Sequence, residues 1–412
     1  MNLNERLRRV EEQEPLLEAL LPEPSRLDRL SAEREALHQR YPEKSDRPAL
    51  FGVPIGVKDL FHVEGFVTRA GSALPPELFS GSEGPAVTRL KQAGGLILGK
   101  TVATEFAFSE PGPTRNPHHP DHTPGGSSSG SAAAVAAGYV PVALGTQTIG
   151  SISRPASYCG VIGVKPSYGR IPTAGSVPFS ESVDHVGFFA ESWEWVQRVA
   201  PILYDEWSEP DAGPDNHPFR IGFITGSYAE EADQDMQQAL VTMIDQLAAR
   251  GHELMPIPLF DDWSALVEMH YDLIAYEKAE FHREWFTAYQ QLYRPGTREL
   301  IERGQSIPAE RANTIRAYQL ELRQQIDQRM IRDGIDLWLT PGATGPAPQG
   351  LQFTGNPRCN LPWSFTGLPT VTFPVTKTSS GLPLGIQAVG CFGQDERLLT
   401  NLLKRVVPER PA

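Results

Sequence analysis

Cysteine is scarce in this chain. Cys159, Cys359 and Cys391 are the three in 412 residues, far apart and with no C-x-x-C between them. An odd, scattered set excludes a disulfide framework and points to a reducing compartment. Long apolar runs are lacking too. The longest, Ser131–Gly145, is too short to span a bilayer and contains Pro141. The opening M-N-L-N-E-R-L-R-R-V-E-E is charged throughout and has no signal-peptide core. The expectation is therefore a soluble, cytoplasmic protein with no membrane partner. Basic charge is in deficit, with 37 Lys and Arg against 50 Asp and Glu, a net −13. That balance argues against nucleic acid as a partner. Ten histidines are present, yet none sits in a G-x-S-x-G or comparable triad context.

What is present suffices for a large core, since 40% of residues are hydrophobic and 21% charged. The length fits about two to three domains, or one large α/β unit with an insertion. Residues 3–40 carry helical periodicity, split by Pro22 and Pro24. They read as an N-terminal helical segment, within residues 1–49, that packs on the main body. From Leu50 the pattern changes. F-G-V-P-I-G-V-K-D is a turn followed by a short apolar strand ending at Lys58 and Asp59. A lysine closing a buried strand has a plain reading, an ion pair to Asp59 or a snorkelling stem, and a chemical one.

Two motifs mislead. Gly94–Thr101, G-G-L-I-L-G-K-T, formally fits a phosphate loop, but a helix precedes it and its variable positions are themselves an apolar strand. Lys100 then belongs to a strand end. Asn116–His122, N-P-H-H-P-D-H, gathers three histidines, but Pro117 and Pro120 hold them extended and the spacing fits no zinc pattern. It reads as a loop, and no metal is expected.

The densest Gly-Ser stretch is Gly125–Ser131, G-G-S-S-S-G-S. Such composition usually marks a solvated linker. Here Ala132–Ala137 reads as a helix immediately after it, and Val140–Gly145 as a strand that ends before a second Gly-Ser turn at Ser151. A Gly-Ser loop opening a helix suits a ligand with developing negative charge. Beyond Ser151 the sequence S-Y-C-G-V-I-G-V-K-P reads as turns alternating with short strands, with Cys159 a buried, inert thiol. Asp184–Ala190 reads as a strand leaving the core. Residues 205–218 are the best linker candidate, and a βαβ unit follows over Ile221–Pro256. Residues 262–332 read as helical, with an aromatic series from Trp263 to Tyr289 that is core or a pocket wall. Leu337–Thr340, Asn360–Val375 and Gly385–Gly390 read as strands returning to the sheet.

A strand-end lysine and two Gly-Ser turns suggest a serine nucleophile activated without histidine. Neutral lysine can take the serine proton, directly or through another hydroxyl. Half-neutral lysine at pH 7 needs a pKa lowered by about 3.4, or about 4.6 kcal/mol. Burial beside hydroxyls rather than carboxylates supplies such a shift.

With these residues in place the chain closely resembles the amidase signature family. The resemblance runs through G-V-P-I-G-V-K-D, L-K-Q-A-G-G-L-I-L-G-K-T, T-P-G-G-S-S-S-G-S-A-A-A-V-A-A-G and A-L-G-T-Q-T-I-G-S-I-S-R-P-A-S-Y-C-G-V-I-G-V-K-P, then T-G-N-P-R-C-N-L-P-W-S and G-L-P-L-G-I-Q-A-V-G. It implies an α/β fold with a single large mixed β-sheet flanked by helices on both faces. The family domain would cover 50–412, with 205–335 a more variable substrate-specificity region. It implies an amidohydrolase in which Ser151 forms the acyl-enzyme, Ser127 relays the proton through a cis peptide, and Lys58 is the base. Backbone N–H groups of Thr148, Ile149, Gly150 and Ser151 would form the oxyanion hole. Gly125, Gly126, Phe108 and Trp363 would contact a small-molecule amide. The cycle needs no metal or organic cofactor, and a homodimer fits the pattern. Two alternatives stand beside it: a glutaminase-type subunit of an amidotransferase complex, and an impaired binding protein on the same fold.

Three departures from the commonest T-D-T-G-G-S-I-R pattern stand out. Gln147 replaces the acid, Ser153 replaces the arginine, and Ile149 replaces a glycine. Gln147 with Arg154-Pro155 resembles a branch reading T-Q-T-G-G-S-x-x-R-P. If the family glycine at 149 has positive φ, a β-branched residue there is expected to be strained.

Overall fold

The computed structural model describes residues 1–209, 218–402 and 406–407. Of the linker expected over 205–218, residues 210–217 lie outside the described residues. The chain opens with α1 (Leu3–Leu17) and α2 (Arg26–Arg40). An Asn2/Glu5 capping box starts α1, and Leu20 then bridges to Thr101, tying the connection to the main sheet.

β1 (Pro54–Lys58), α3 (Pro85–Gln92) and β2 (Leu96–Thr101) follow, and then α4 (Ser129–Ala136), β3 (Val142–Gln147) and α5 (Ser153–Cys159). β2 runs straight through the phosphate-loop look-alike, with all six residues buried. β4 (Ile162–Lys165), β5 (His185–Ala190) and α6 (Trp193–Leu203) lead to the βαβ unit of β6 (Arg220–Thr225), α7 (Gln234–Ala249) and β7 (Glu253–Pro258). Three helices come next: α8 (Trp263–Tyr289), α9 (Pro295–Gln305) and α10 (Ala309–Asp333). β8 (Leu337–Pro341), α11 (Leu361–Phe365), β9 (Thr370–Lys377), β10 (Pro383–Val389) and α12 (Asp395–Asn401) complete the order.

The strands form one mixed sheet in the order β2-β1-β3-β5-β4-β9-β10-β8-β6-β7. Alternation along each strand divides side chains between two faces. Ile55, Val57, Val142, Leu144, Leu337 and Leu339 join α3, α6, α7 and α12 in one apolar cluster. On the other face Ala143, Leu96 and Leu98 pack under α1, α2 and α4, while Trp338 and Val389 pack under α8, α10 and α11. The fold is thus the single mixed sheet with helices on both faces.

Three local expectations are corrected. Ser153–Cys159 is a helix, not a run of turns and strands; every residue in it is buried, so no apolar stripe marks it. Asp184–Ala190 does not leave the core, because β5 inserts antiparallel between β3 and β4. Asn360–Val375 reaches the sheet only at Thr370, since Leu361–Phe365 coils into a short helix with Pro362 in its first turn.

Candidate active site

β1 pairs parallel with β2 and β3 and delivers Lys58 into the interior, fully buried. The neighbouring carboxylate is not its partner. Asp59 pairs with Lys100 at 2.8 Å and accepts from the Arg69 N–H at 3.1 Å. Lys58 Nζ instead donates to Ser127 Oγ and to Thr146 Oγ1, each at 2.7 Å. Burial, with no carboxylate in contact among the described residues, holds its pKa well below the usual lysine range. Asp184 opposes that shift, and Arg154 adds to it.

The Gly-Ser stretch is clamped at both ends. Gly125 has φ +86, and a Cβ there would lie 3.0 Å from the Pro155 Cα. The Gly126–Ser127 peptide is cis. Ser127 O accepts from the Thr104 N–H at 3.2 Å. The other serines are tied to scaffold. Ser128 Oγ donates to Thr146 O, Ser129 Oγ to Gly125 O, and Ser131 Oγ to Leu144 O.

Ser151 lies in the tight turn between β3 and α5. Among the described residues its hydroxyl has no hydrogen-bond partner, Ser127 included, and it keeps 7% exposure. Gln147 organises the turn. Its Oε1 accepts from the N–H groups of Ile152 (2.8 Å) and Ser153 (2.9 Å). Its Nε2 donates to Ser364 Oγ at 3.0 Å, and Ser364 Oγ donates to Ile149 O at 2.6 Å. Thr148 Oγ1 donates to Asp184 Oδ1 at 2.6 Å. The backbone N–H groups of Thr148, Ile149, Gly150 and Ser151 are left without acceptors among the described residues. A Cβ on Gly150 would fall 2.4 Å from Asn360 Oδ1, so only glycine fits. Ile149 does not have positive φ. The strain expected of a β-branched residue there is therefore absent.

Arg154 has a place in the site that its motif does not reveal. It is 4% exposed and donates through Nη2 to Gly126 O at 2.7 Å. Its Nε and Nη1 are buried with no partner among the described residues. Burial lowers its pKa. The one signal in the sequence is an arginine with no acidic residue beside it. Thr146 carries no local mark at all, and sequence reasoning misses it.

The expected contact residues divide. Gly126 and Phe108 lie at the site's edge: Thr104 Oγ1 donates to Phe108 O, and the half-buried Phe108 ring is 5.7 Å from that of Phe179. Trp363 is fully buried, with its Nε1 donating to Tyr228 Oη at 3.4 Å. Its position in the middle of α11 explains the difference. Away from the site, His119 and His122 rings meet edge-on and His118 Nε2 lies 2.9 Å from Cys159 O.

A family profile described as Amidase matches residues 2–399. A glutamyl-tRNA(Gln) amidotransferase subunit from Synechococcus sp. (strain RCC307) is 30% identical over 446 residues, covering 95% of this chain and 90% of that protein. A solved amidase structure has a TM-score of 0.86 at 31% identity, covering 98% of this chain and 95% of that one. 6-Aminohexanoate cyclic dimer hydrolase, at 22% identity and a TM-score of 0.82, shares the fold.

Proposed function

This chain belongs to the amidase family, and from that premise we propose that it hydrolyses a small carboxamide through a Ser151 acyl-enzyme. The observation that carries the reading is the 2.7 Å hydrogen bond between a fully buried Lys58 and Ser127. Neutral Lys58 accepts the Ser127 proton as Ser127 accepts that of Ser151. Ser151 Oγ bonds to the amide carbon, and the oxyanion is received by the free N–H groups of the 148–151 turn. Collapse of the adduct breaks the C–N bond, and the proton returns through Ser127 to the departing amine. Water then repeats the sequence on the ester, releasing a carboxylic acid.

The partnerless Nε and Nη1 of Arg154 favour a substrate with an anionic group near the scissile amide, because a buried cation with no carboxylate beside it among the described residues is costly until one arrives. Residues 205–335, which include α8 to α10, are the region we assign to the rest of the specificity. A second reading, an ammonia-releasing subunit, is supported by the likeness to amidotransferase subunits. It calls for glutamine as substrate and a partner to receive the ammonia.

Hydroxylamine trapping of the acyl-enzyme tests the main reading. Wild type yields a hydroxamate from a responsive amide, and Ser151→Ala yields none. Equal trapping by both proteins rejects Ser151 as the nucleophile. Ammonia release from glutamine alone, with no other amide turned over, would favour the second reading.

A further inference from the structure

We infer that the Ile149 side chain is a fixed steric wall of the acyl subsite, restricting the enzyme to amides with short, unbranched acyl groups. The inference rests on the amidohydrolase reading above. Along the turn from β3 to α5, Thr146 keeps 8% exposure, Ile149 8%, Ser151 7% and Thr148 3%, while Gln147, Ile152 and Ser153 keep none. Thr146 holds the base and Ser151 is the proposed nucleophile, and Ile149 lies between them in sequence with a comparable residual exposure. Ile149 also belongs to the apolar cluster that contains Phe106, Phe179 and Leu273, each nearly or fully buried. A side chain packed into such a cluster has little room to retreat.

The backbone cannot yield either. Ser364 Oγ pins the Ile149 carbonyl at 2.6 Å, and Gln147 Nε2 holds that serine. Asp184 anchors Thr148 on one side, and Gly150 abuts Asn360 Oδ1 on the other. Three independent contacts thus fix the turn around one β-branched residue. The volume of Ile149 is subtracted from the space beside Ser151, while its N–H stays aimed as in the rest of the turn. A glycine at 149 would leave that space open.

Acylation by p-nitrophenyl acetate, butyrate and hexanoate, followed as the nitrophenol burst, tests this on the purified protein. Wild type is expected to react with the acetate and to discriminate against the hexanoate. Ile149→Ala should raise the hexanoate-to-acetate rate ratio by about tenfold or more, the scale of methylene discrimination in an apolar pocket. Ile149→Phe should lower it. Melting curves of both variants establish that each is folded. A ratio unchanged in both folded variants overturns the inference while leaving the acyl-enzyme intact. A burst that Ser151→Ala does not abolish instead removes the reading on which it rests.

Discussion

Lys100 Nζ lies 2.8 Å from Asp59 Oδ1, and this pair draws the carboxylate away from the lysine next to it in sequence. Both partners are almost wholly buried, at 2% and 1% side-chain exposure. Among the described residues the hydrogen-bond partners of Lys58 Nζ are thereby hydroxyls alone. Lys100→Met would strand Asp59 as an unpaired buried charge. We expect a loss of about 3–5 kcal/mol in denaturant unfolding. A change within about 0.5 kcal/mol, the scale of ordinary surface substitutions, would contradict the pairing.

Lys58→Met removes the proposed base without leaving an orphan cation. Turnover should fall by at least about a hundredfold, the scale of positioned general-base catalysis. Circular dichroism should report the wild-type fold. Wild-type turnover by the folded variant would dismiss Lys58 as the base.

The pH dependence of kcat/KM carries a second test of that base. Activity needs neutral Lys58, so the rate rises with pH through the lysine's pKa. Asp184 raises that pKa and Arg154 lowers it. Asp184→Asn should therefore move the acid limb of the profile to lower pH. Arg154→Met should move it to higher pH. Shifts of the same sign in both variants would rule out this electrostatic arrangement.

Arg154→Met also separates stability from function. Two buried N–H-bearing nitrogens of the guanidinium lack partners among the described residues, and each such group costs about 1–3 kcal/mol. The variant should melt at a higher temperature than wild type, while KM for an anion-bearing amide increases and that for a neutral one changes little. A lower melting temperature with no change in KM would make Arg154 purely structural.

Stability should rise with pH from 7 to about 8.5, the point at which thiols of the unfolded chain begin to ionise. Burial lowers Lys165 and Lys278 to about 7, against about 10.4 in the unfolded chain. Between those values the unfolded chain binds more protons, so its formation becomes less favourable as pH rises. Lys278→Met should flatten the slope of melting temperature against pH. A steeper slope in that variant would reverse the assignment.

Legibility in the sequence followed the reach of each interaction. β1 ending at Lys58, β2 running through the phosphate-loop look-alike, and the helix after the Gly-Ser stretch were all readable from local alternation and turn residues. α5 was not, because a helix buried on every side shows no stripe. The place of β5 between β3 and β4 was equally hidden, since pairing partners leave no mark on a strand's own sequence. At the site, Lys58, Ser127 and Ser151 stood out through resemblance and composition. Thr146, Asp184 and Ser364 did not, because each reaches the site through hydrogen bonds to residues distant in sequence: Thr146 to Lys58, Asp184 to Thr148, and Ser364 to Gln147 and Ile149. The full burial of Trp363 was hidden in the same way: an aromatic residue beside a recognised motif carries no local mark of how deeply it is packed.

The Gln147–Ser364 bond joins residues 217 positions apart, and Lys58 reaches Ser127 across 69 and Thr146 across 88. These parts meet only when strands from both halves of the chain have joined one sheet. No proteolytic fragment lacking either end of that span can retain the complete site. On dilution from denaturant, helix content from α8 to α10, which is local, should return before any chemistry does.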